Sequence, residues 1–505
     1  MSEVANVPSL RFAAEDVELF GGASHDLNPL HLSEDYARRT PFGRPVVFGI
    51  LAALASLGRV GPRAGLSLST LRLEFRMPVF ADVDYAIDSR ESSLEQVNLA
   101  LMDGPQVVMR VTATFRQGEP DRVPAEPILS VDTLAESLDR QSVDLVPGLT
   151  IEGGYAPEWK LAAALMQRLR LQESGLGASH VAALLCASYL VGMQLPGRRA
   201  LFVRLSLQFR AVAQTNEPIA YLARVRTMER RSHLMTADVR FGGGETDSAV
   251  GEIVAQVRQD VPPLTLQMVE SVLPRSEALV GKLGLVIGAS RGLGAALCLS
   301  LASQGCTVLA SFHKSGAEAQ RLQDAASAAS GRIQTVRGDA ADLAWCEELR
   351  GLVERDFGRL DFLICNAAPA LLPMRLHPRS VSRVDDYVAE SLRLVSVPVA
   401  VFLPLVSTHA GWLVTISSSA VGAPPADWPH YVSAKFAVEG LTRAAAADQR
   451  AASYLIARPP RLRTELLNTP LGHEGASPPE RVAARIVQQL MGPPGAGRVQ
   501  MLEAF

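Results

Sequence analysis

The alternation of apolar and polar residues divides the chain into three regions. In the first, the stretches LSLSTLRLEFRMPVF and VVMRVTATFRQ alternate as half-buried antiparallel strands do. The second has an apolar segment, HVAALLCASYLVGMQL, long enough for a buried helix, and two more alternating stretches. From Lys282 onward, short apolar runs alternate with amphipathic helical segments, which is typical of a parallel sheet wrapped by helices. The pattern predicts domains at residues 1–120, 121–260 and 282–505, with a linker at 261–281.

The first two regions resemble each other when the chain is shifted by 134 residues without a gap. The shift superposes a helix, the glycine that ends it, a turn proline and the following strand. The matched pairs are Gly43 and Gly177, Val47 and Val181, Leu51 and Leu185, Ala53 and Ala187, Gly58 and Gly192, Pro62 and Pro196, Leu71 and Leu205, Leu73 and Leu207, Phe75 and Phe209, and Arg76 and Arg210. Duplication of one helix-plus-sheet unit explains this agreement better than two unrelated domains of similar apolar composition.

Composition places the chain among ordinary soluble globular proteins, with 20% charged residues, 48% hydrophobic residues and a net charge of -3. This charge gives no electrostatic reason to expect nucleic acid or an anionic membrane as a partner. The amino terminus lacks the features of a signal peptide, and no run of eighteen apolar residues occurs, so we expect a cytoplasmic protein. The cysteines form no C-x-x-C pair, which predicts small buried hydrophobes and no metal or disulfide framework: Cys186, Cys298, Cys306, Cys346 and Cys365.

One loop of the first region carries candidate acid–base chemistry, in SHDLNPLHLSEDYARRTPFGRPVVFGILAAL. Asp26 and His31 flank an Asn-Pro turn, which can aim a carboxylate and an imidazole into one cleft. Adding or removing water beside a thioester needs such a pair, together with a donor such as the backbone N–H near Gly49 to polarise the carbonyl. The alternative is an Asx turn that caps a helix beginning near Ser33, with His31 incidental.

These residues, with FGRPVVFGIL and LRLEFRMPVFADV, resemble the MaoC-like branch of hot-dog proteins, the (R)-specific enoyl-CoA hydratases, over most of residues 10–115. The resemblance implies that Asp26 and His31 are the catalytic pair. The family usually has His-Gly where this chain has Phe48-Gly49, and this difference bears on substrate choice and activity.

At the corresponding positions the second region has Lys160 and Leu165, so it lacks the pair. This arrangement is similar to double hot-dog hydratases, in which one half catalyses and the other shapes the acyl tunnel. His180 is either a partial substitute for the missing pair or a structural residue.

The third region opens with a nucleotide-binding pattern, KLGLVIGASRGLGAALCLSLASQG. A strand runs into Gly288, Gly292 and Gly294 and then a helix, so that backbone amides and a helix N-terminus can meet a pyrophosphate. RGDAAD, LICNAAPA, WLVTISSSAVG and YVSAK follow in order. Tyr431 and Lys435 are one helical turn apart, and a lysine that lowers the phenol's pKa would let Tyr431 exchange a hydroxyl proton during hydride transfer.

This ordered set resembles the short-chain dehydrogenase/reductase family, closest in style to 3-oxoacyl thioester reductases, over residues 282 to about 470. The resemblance implies that Tyr431 is the acid–base, Lys435 its partner and Ser418 the carbonyl donor, with Ser419 as a rival. It also implies cofactor contacts from Gly288, Ser290, Arg291, Gly292, Leu293, Gly294, Asp339, Ala340, Asn366, Ala367, Ala368, Tyr431 and Lys435. Two departures affect the proton relay and substrate loop: Ser391 at the usual catalytic Asn position, and Pro459-Pro460 for the usual Pro-Gly.

The charge around the second strand of this region favours NADPH as cofactor. NAD enzymes place an acid there to bind the ribose diol, whereas VLASFHKS ends in His313 and Lys314, and Arg291 lies in the glycine loop.

Together the regions predict α+β and α/β folds in one chain: a duplicated hot-dog, in which antiparallel sheet wraps a helix, and then a Rossmann doubly wound parallel sheet. The predicted function is reduction of a 3-oxoacyl thioester with NADPH, followed by dehydration to the 2-enoyl thioester in fatty-acid or polyketide synthesis. One alternative is an enoyl-CoA hydratase and 3-hydroxyacyl-CoA dehydrogenase working oxidatively. Another is a reductase whose hot-dog part only binds acyl groups or dimerises. The carrier is an acyl-carrier protein or coenzyme A, and the resemblances imply a homo-oligomer.

Overall fold

The computed structural model describes residues 9–124, 131–210, 218–243, 246–465 and 475–505. The chain forms two compact units, one that ends at Gln259 and one that begins at Asp260.

The first unit is a ten-stranded antiparallel sheet with its helices packed against the apolar side chains of the sheet. Its strands are β1 (Ser9–Leu10), β2 (Leu66–Phe75), β3 (Tyr85–Ser93), β4 (Gln96–Asp103), β5 (Gln106–Gln117), β6 (Thr150–Tyr155), β7 (Ala200–Phe209), β8 (Ile219–Glu229), β9 (Leu234–Gly243) and β10 (Thr246–Val257). Its helices are α1 (Ala14–Ser24), α2 (Pro29–Leu32), α3 (Glu34–Ala37), α4 (Gly49–Leu57), α5 (Trp159–Arg168) and α6 (Ala178–Tyr189). Helices α4 and α6 are apolar on nearly every side, which is why both are buried.

The strand order confirms the duplication. From the centre outward, one half reads β2-β5-β4-β3-β1 and the other β7-β10-β9-β8-β6. The two halves join where β2 pairs with β7, and this antiparallel pairing is centred on Arg72 opposite Ser206. Those two residues are related by the 134-residue shift. Each repeat therefore offers the same strand to the other around a local two-fold axis.

The central helices of the two repeats end differently. In the first repeat, α4 ends at Leu57 and is followed by Gly58. In the second, α6 continues into a π-helical turn, Leu190–Gln194, which contains Gly192, the counterpart of Gly58. π-Helical turns occur often at functional sites, and this one lies against the Asp26 loop.

The second unit is a seven-stranded parallel sheet in the order β13-β12-β11-β14-β15-β16-β17. The strands are β11 (Leu283–Ile287), β12 (Thr307–Phe312), β13 (Arg332–Arg337), β14 (Phe362–Cys365), β15 (Trp412–Ile416), β16 (Ser453–Ala457) and β17 (Val499–Leu502). The helices are α7 (Leu266–Val272), α8 (Gly292–Ser303), α9 (Gly316–Ala325), α10 (Leu343–Asp356), α11 (Val381–Thr408), α12 (Pro429–Asp448) and α13 (Pro479–Met491). Separate apolar clusters cover the two faces of the sheet, as in a doubly wound fold.

The segment predicted as a linker, 261–281, contains α7. Leu266 and Val269 of this helix are buried in the same apolar cluster as α8 and α13. This segment therefore belongs to the core of the second unit. The prolines on both sides of it indicated a linker, although its apolar residues have helical spacing.

Among the described residues, one helical stretch, Pro378–Thr408, has the length and composition that would allow it to cross a membrane. A core helix of a soluble protein passes the same test, and half of the most apolar part of this stretch is buried in the unit. Helix α11 packs against α12 and the central strands β14 and β15. All five cysteines are buried and free, as their apolar surroundings predicted.

Candidate active sites

The loop that carries Asp26 is shaped by local backbone hydrogen bonding. The Asn28 side chain accepts a hydrogen bond from the Leu30 N–H at 3.0 Å and so caps α2. Ser33 caps α3 by accepting from the Tyr36 N–H. Because these two residues provide the caps, Asp26 is not used as a helix cap. Asp26 does form an Asx turn, by accepting from the Asn28 N–H, but it caps neither helix, so the capping part of that alternative does not describe this loop.

Asp26 is a buried carboxyl group with two donors. Its Oδ2 accepts from the Ser188 hydroxyl at 2.7 Å, and its Oδ1 accepts from the Asn28 N–H at 3.2 Å. Burial raises the pKa of Asp26 to about 7, against the opposing effect of these hydrogen bonds. Asp26 can therefore give or take a proton near neutral pH.

His31 is held as a neutral base. Its Nδ1 lies 2.7 Å from the Val46 carbonyl oxygen. Because a carbonyl only accepts, Nδ1 carries the proton and Nε2 carries the lone pair. Burial lowers the pKa of His31 to about 4; the Val46 carbonyl opposes this shift and the Arg258 charge adds to it.

Phe48 occupies the position where the related family has histidine. Its ring is buried, stacks on the His31 ring at 3.9 Å between centroids, and lies 4.7 Å from the Phe20 ring. Helix α4 begins at Gly49 without a side-chain cap, so its first N–H groups are available to an acceptor. A Cβ at Gly49 would lie 2.8 Å from the Phe75 ring, which explains the need for glycine there.

The second repeat has no equivalent pair. Lys160 and Leu165, which the 134-residue shift matched to Asp26 and His31, lie within helix α5 and not in a loop, so the shift does not superpose them on the Asp26 loop. Lys160 is exposed, and Leu165 is buried in the core. His180 accepts from the Gly177 N–H through Nδ1 at 2.9 Å, and its Nε2 lies 3.0 Å from the Leu68 carbonyl. Both ring nitrogens thus have backbone partners, which makes His180 a structural residue and not a substitute for the missing pair.

The glycine loop of the second unit is built for close backbone approach. Gly288 has a φ of 78°, and a Cβ there would lie 2.7 Å from the Ala367 Cα. A Cβ at Gly294 would lie 2.1 Å from the Gly288 carbonyl oxygen. The Asn366 amide also donates to that carbonyl at 2.8 Å. The loop therefore presents its backbone and the N-terminus of α8, which fits a dinucleotide pyrophosphate.

The remaining predicted cofactor residues follow the ends of the neighbouring strands. Ser290 lies in the glycine loop, whereas the Leu293 side chain is buried in the core, which leaves only its backbone for a cofactor. Ala367 and Ala368 follow β14. Asp339 accepts from the Ala341 N–H at 2.9 Å, and Ala340 is buried.

The cations predicted to select NADPH lie in two different settings. His313 and Lys314 are exposed directly after β12, and the sequence from Thr307 to Ala317 has no acidic residue. Arg291 pairs instead with Glu465 at 3.1 Å. Glu465 is far from Arg291 in sequence, so the glycine pattern gave no sign of this ion pair.

Tyr431, Lys435 and Ser418 come together as their order in the sequence predicted. Tyr431 and Lys435 lie on α12, and the Lys435 Nζ is 5.5 Å from the centre of the Tyr431 ring. Nζ donates to the Ile416 carbonyl at 2.8 Å. The half-buried Ser418, and not the exposed Ser419, forms a side-chain hydrogen bond with the Tyr431 phenol.

The electrostatics of this group differ from the sequence expectation. Burial raises the pKa of Tyr431, with the Ser418 hydroxyl opposing, so the expected lowering by Lys435 is not found in this structure. Burial also lowers the pKa of Lys435 to about 8.

Several residues near Tyr431 were missed by the sequence reasoning. Tyr387 lies one turn before Ser391 on α11 and contacts the His430 ring edge-on at 4.6 Å. Trp428 meets the Tyr431 ring at 5.7 Å. Tyr387, Trp428 and Tyr431 belong to one small apolar cluster. The signal for Tyr387 was its helical spacing from Ser391.

The fold and the two sites define a class: an enzyme that joins a hot-dog module with an acid–base loop to a dinucleotide-binding reductase domain. Residues 2–94 match the sequence profile of the MaoC like domain, and residues 282–465 match that of the short chain dehydrogenases. An (R)-specific enoyl-CoA hydratase from Aeromonas caviae is 32% identical over 126 residues, which cover 24% of this chain and 89% of the hydratase.

Hydroxynaphthalene reductase arp2 from Aspergillus fumigatus is 30% identical over 173 residues, or 34% of this chain. The chain spans 62% of that reductase's length. A solved short chain dehydrogenase from Burkholderia cenocepacia is 26% identical, with a TM-score of 0.39, over 45% of this chain and 98% of its own. The chain belongs to the MaoC-like family through its N-terminal part and carries a short-chain dehydrogenase domain in its C-terminal part, which confirms the resemblances.

Proposed function

We propose that the protein reduces a 3-oxoacyl thioester with NADPH and dehydrates the resulting 3-hydroxyacyl thioester to the 2-enoyl form. The observation that carries this proposal is the presence of two acid–base groups in one chain. Asp26 and His31 suit the loss of water, and Tyr431 with Lys435 suits carbonyl reduction. The chemistry of the two groups is consecutive on one acyl chain.

In the reductase site, the glycine loop would hold a dinucleotide through its backbone, and His313 and Lys314 would meet the 2′-phosphate. NADPH, when bound, supplies the hydride. Ser418 donates a hydrogen bond to the substrate carbonyl, and Tyr431 gives its phenolic proton to the developing alkoxide. Lys435 lies beside the phenol and favours its deprotonated form to the extent that the lysine is charged.

In the dehydratase site, the Nε2 of His31 takes the proton from the α carbon of the 3-hydroxyacyl thioester. Protonated Asp26 gives its proton to the leaving hydroxyl, so that the C–O bond breaks and water departs. The amides at the start of α4 stabilise the charge that develops on the thioester oxygen. A proton then returns from His31 to Asp26 through solvent, and the pair is reset.

Incubating the protein with NADPH and 3-oxoacyl thioesters of several chain lengths, on coenzyme A or on acyl-carrier protein, tests the proposal. Mass spectrometry should find the 2-enoyl product, and the NADPH consumed should equal the sum of the 3-hydroxyacyl and 2-enoyl products. A product that stops at the 3-hydroxyacyl stage would instead favour the binding-module role of the hot-dog repeats. Buried Phe48 is the observation that favours this second candidate.

The working direction and the surroundings of the enzyme also belong to this proposal. The cations after β12 support NADPH and hence synthesis, as in fatty-acid or polyketide assembly, over the oxidative direction. We propose a cytoplasmic homo-oligomer that acts without nucleic acid or membrane. Light scattering of the purified protein tests the oligomeric state, and cell fractionation tests the location.

A further inference from the structure

We infer that the second repeat completes the active site of the first, with Ser188 and the turn Leu190–Gln194 positioning the carboxyl group of Asp26. The inference rests on the proposed dehydratase function. It gives the repeat that lacks its own acid–base pair a direct part in that chemistry, as a set of positioning residues.

Ser188 is the first of these positioning residues. It lies on α6, 162 residues beyond Asp26, and its hydroxyl donates to Oδ2 at 2.7 Å. Asp26 is 2% exposed and Ser188 is 5% exposed, so water competes little for this hydrogen bond. Among the described residues, Ser188 is the one side chain that donates to Asp26.

The turn Leu190–Gln194 fixes the loop around Asp26. The Asn28 amide donates to the Gly192 carbonyl at 3.0 Å and to the Gly197 carbonyl at 3.1 Å. The Leu27 N–H approaches the Met193 sulfur at 3.1 Å. The loop of the first repeat is thus tied to the end of the central helix of the second.

Gly192 provides the space for the carboxyl group. A Cβ at this position would lie 2.1 Å from the Asp26 Oδ1, so only glycine lets the turn and the carboxyl group meet. The equivalent residue of the first repeat, Gly58, instead faces the Leu169 carbonyl. The two equivalent glycines have therefore acquired different functions.

The other ionisable groups near Asp26 have hydrogen-bond or packing partners of their own. Tyr155 donates to the Ser24 carbonyl at 3.1 Å, and burial keeps its pKa well above its usual value. Burial keeps the pKa of Cys186 high as well, and Tyr189 packs on Tyr155. His31 is bonded to Val46, and Arg258 donates to the Tyr36 hydroxyl and the Arg198 carbonyl. None of these described groups donates a hydrogen bond to Asp26.

A donated hydroxyl stabilises the carboxylate more than the carboxylic acid. Ser188 therefore limits the pKa increase that burial imposes on Asp26, and together with the Asn28 N–H it fixes the orientation of the carboxyl group. Under the 134-residue shift, the counterpart of Ser188 in the first repeat is Leu54, which cannot donate. The acid lies in one repeat and its hydrogen-bond donor in the other.

The test compares full-length Ser188→Ala, Ser188→Thr and Gly192→Ala with the matched control Ser56→Ala. Ser56 is a buried serine on α4 that only bonds to the Ala52 carbonyl of its own helix. Hydration of short 2-enoyl thioesters is followed from pH 5 to pH 9. We expect Ser188→Ala to lower kcat about tenfold or more and to move the upper pKa of the rate profile upward by about one unit.

Ser188→Thr should restore most of the rate, and Gly192→Ala should reduce it more strongly than Ser188→Ala. Ser56→Ala should leave both the rate and the pH profile near wild type. Ketone reduction should be unchanged in all four variants. An unchanged rate and profile in Ser188→Ala would overturn the inference.

A second measurement separates this inference from the proposed function. The Tm of Ser188→Ala is measured at pH 5 and pH 9, both alone and in the Asp26→Asn background. We expect a larger loss of Tm at pH 9 than at pH 5, and no pH dependence of that loss when Asp26 is replaced. A loss independent of pH and of Asp26 would overturn the inference, whereas a wild-type protein with no hydratase activity would overturn only the proposed function.

Discussion

At the scale of single residues, the molecule places opposite protonation states in one loop. Burial is the largest cause that brings the pKa of Asp26 to about 7 and that of His31 to about 4, because each neutral form is favoured away from water. At neutral pH, Asp26 holds its proton about half of the time and His31 is unprotonated. In the molecules in which Asp26 is protonated, an acid and a base are available together in one loop.

The pH dependence of dehydration follows from these values. Dehydration needs Asp26 protonated and His31 neutral, so the rate should fall as pH rises through about 7 and fall again as pH drops toward about 4. This profile is measured by following the dehydration of a 3-hydroxyacyl thioester, at limiting substrate concentration, between pH 4 and pH 9. A rate that rises steadily above pH 7 would mean that Asp26 acts as a carboxylate.

The phenol of Tyr431 should be essential for ketone reduction. Tyr431→Phe removes the transferable proton and keeps the ring, so we expect turnover to fall by at least about a hundredfold with little change in NADPH binding. Tyr454→Phe is a suitable control, since its hydroxyl bonds only to the backbone carbonyls of Ala445 and Gln449. Near-normal reduction by Tyr431→Phe would contradict its assignment as the acid.

Lys314 should distinguish the two nicotinamide cofactors. Lys314→Ala should weaken NADPH binding several-fold or more and leave NADH nearly unchanged, because only NADPH carries a 2′-phosphate. Arg291→Ala should have a smaller effect, since Arg291 is already paired with Glu465. Arg332→Ala controls for loss of one positive charge, because Arg332 begins the neighbouring strand β13 and so lies at the opposite end of the strands from Lys314. Titration of both cofactors by fluorescence measures the two affinities. Equal losses of affinity for NADPH and NADH would show that Lys314 does not contact the 2′-phosphate.

At the scale of elements, the glycine loop and α8 show which contacts need glycine. Gly294→Ala would push a methyl group onto the Gly288 carbonyl oxygen, whereas Gly351→Ala on α10 meets no atom within 4 Å. We expect Gly294→Ala to lower Tm by several degrees and abolish cofactor binding. Gly351→Ala should raise stability slightly, by up to about 1 kcal/mol. Thermal unfolding and NADPH titration provide the comparison, and equal effects of the two changes would contradict the role of the loop.

The elements also show how far the sequence could predict the molecule. Local patterns such as the Asn-Pro turn, the glycine loop and the Tyr431–Lys435 spacing encode their own geometry, so the corresponding residues could be placed in advance. The role of Ser188 could not be predicted, because it depends on contact with Asp26, 162 positions away, and no local sequence pattern indicates that contact. The Arg291–Glu465 ion pair is equally non-local. The pKa of Tyr431 depends on burial by several elements, which spacing along α12 does not reveal.

At the scale of the whole molecule, two units carry the two proposed reactions, and each should be separable by one substitution. Asp26→Asn should stop dehydration and preserve ketone reduction, because Asp26 and Tyr431 belong to different compact units. Product analysis with a 3-oxoacyl thioester should then show the 3-hydroxyacyl compound alone. The Tyr431→Phe protein, supplied with the 3-hydroxyacyl thioester, should still form the 2-enoyl product. Loss of both reactions from the Asp26→Asn protein would show that the sites are not independent.

The pairing of β2 with β7 around Arg72 and Ser206 has an evolutionary consequence. In a dimer of identical chains, every substitution appears on both sides of the axis, so a residue that helps one site is also imposed on its copy. Covalent fusion of the two copies removes this constraint, because each copy can then change separately. One copy could then lack an acid–base pair while its central helix acquired Ser188, which in a symmetric dimer would have appeared in both copies.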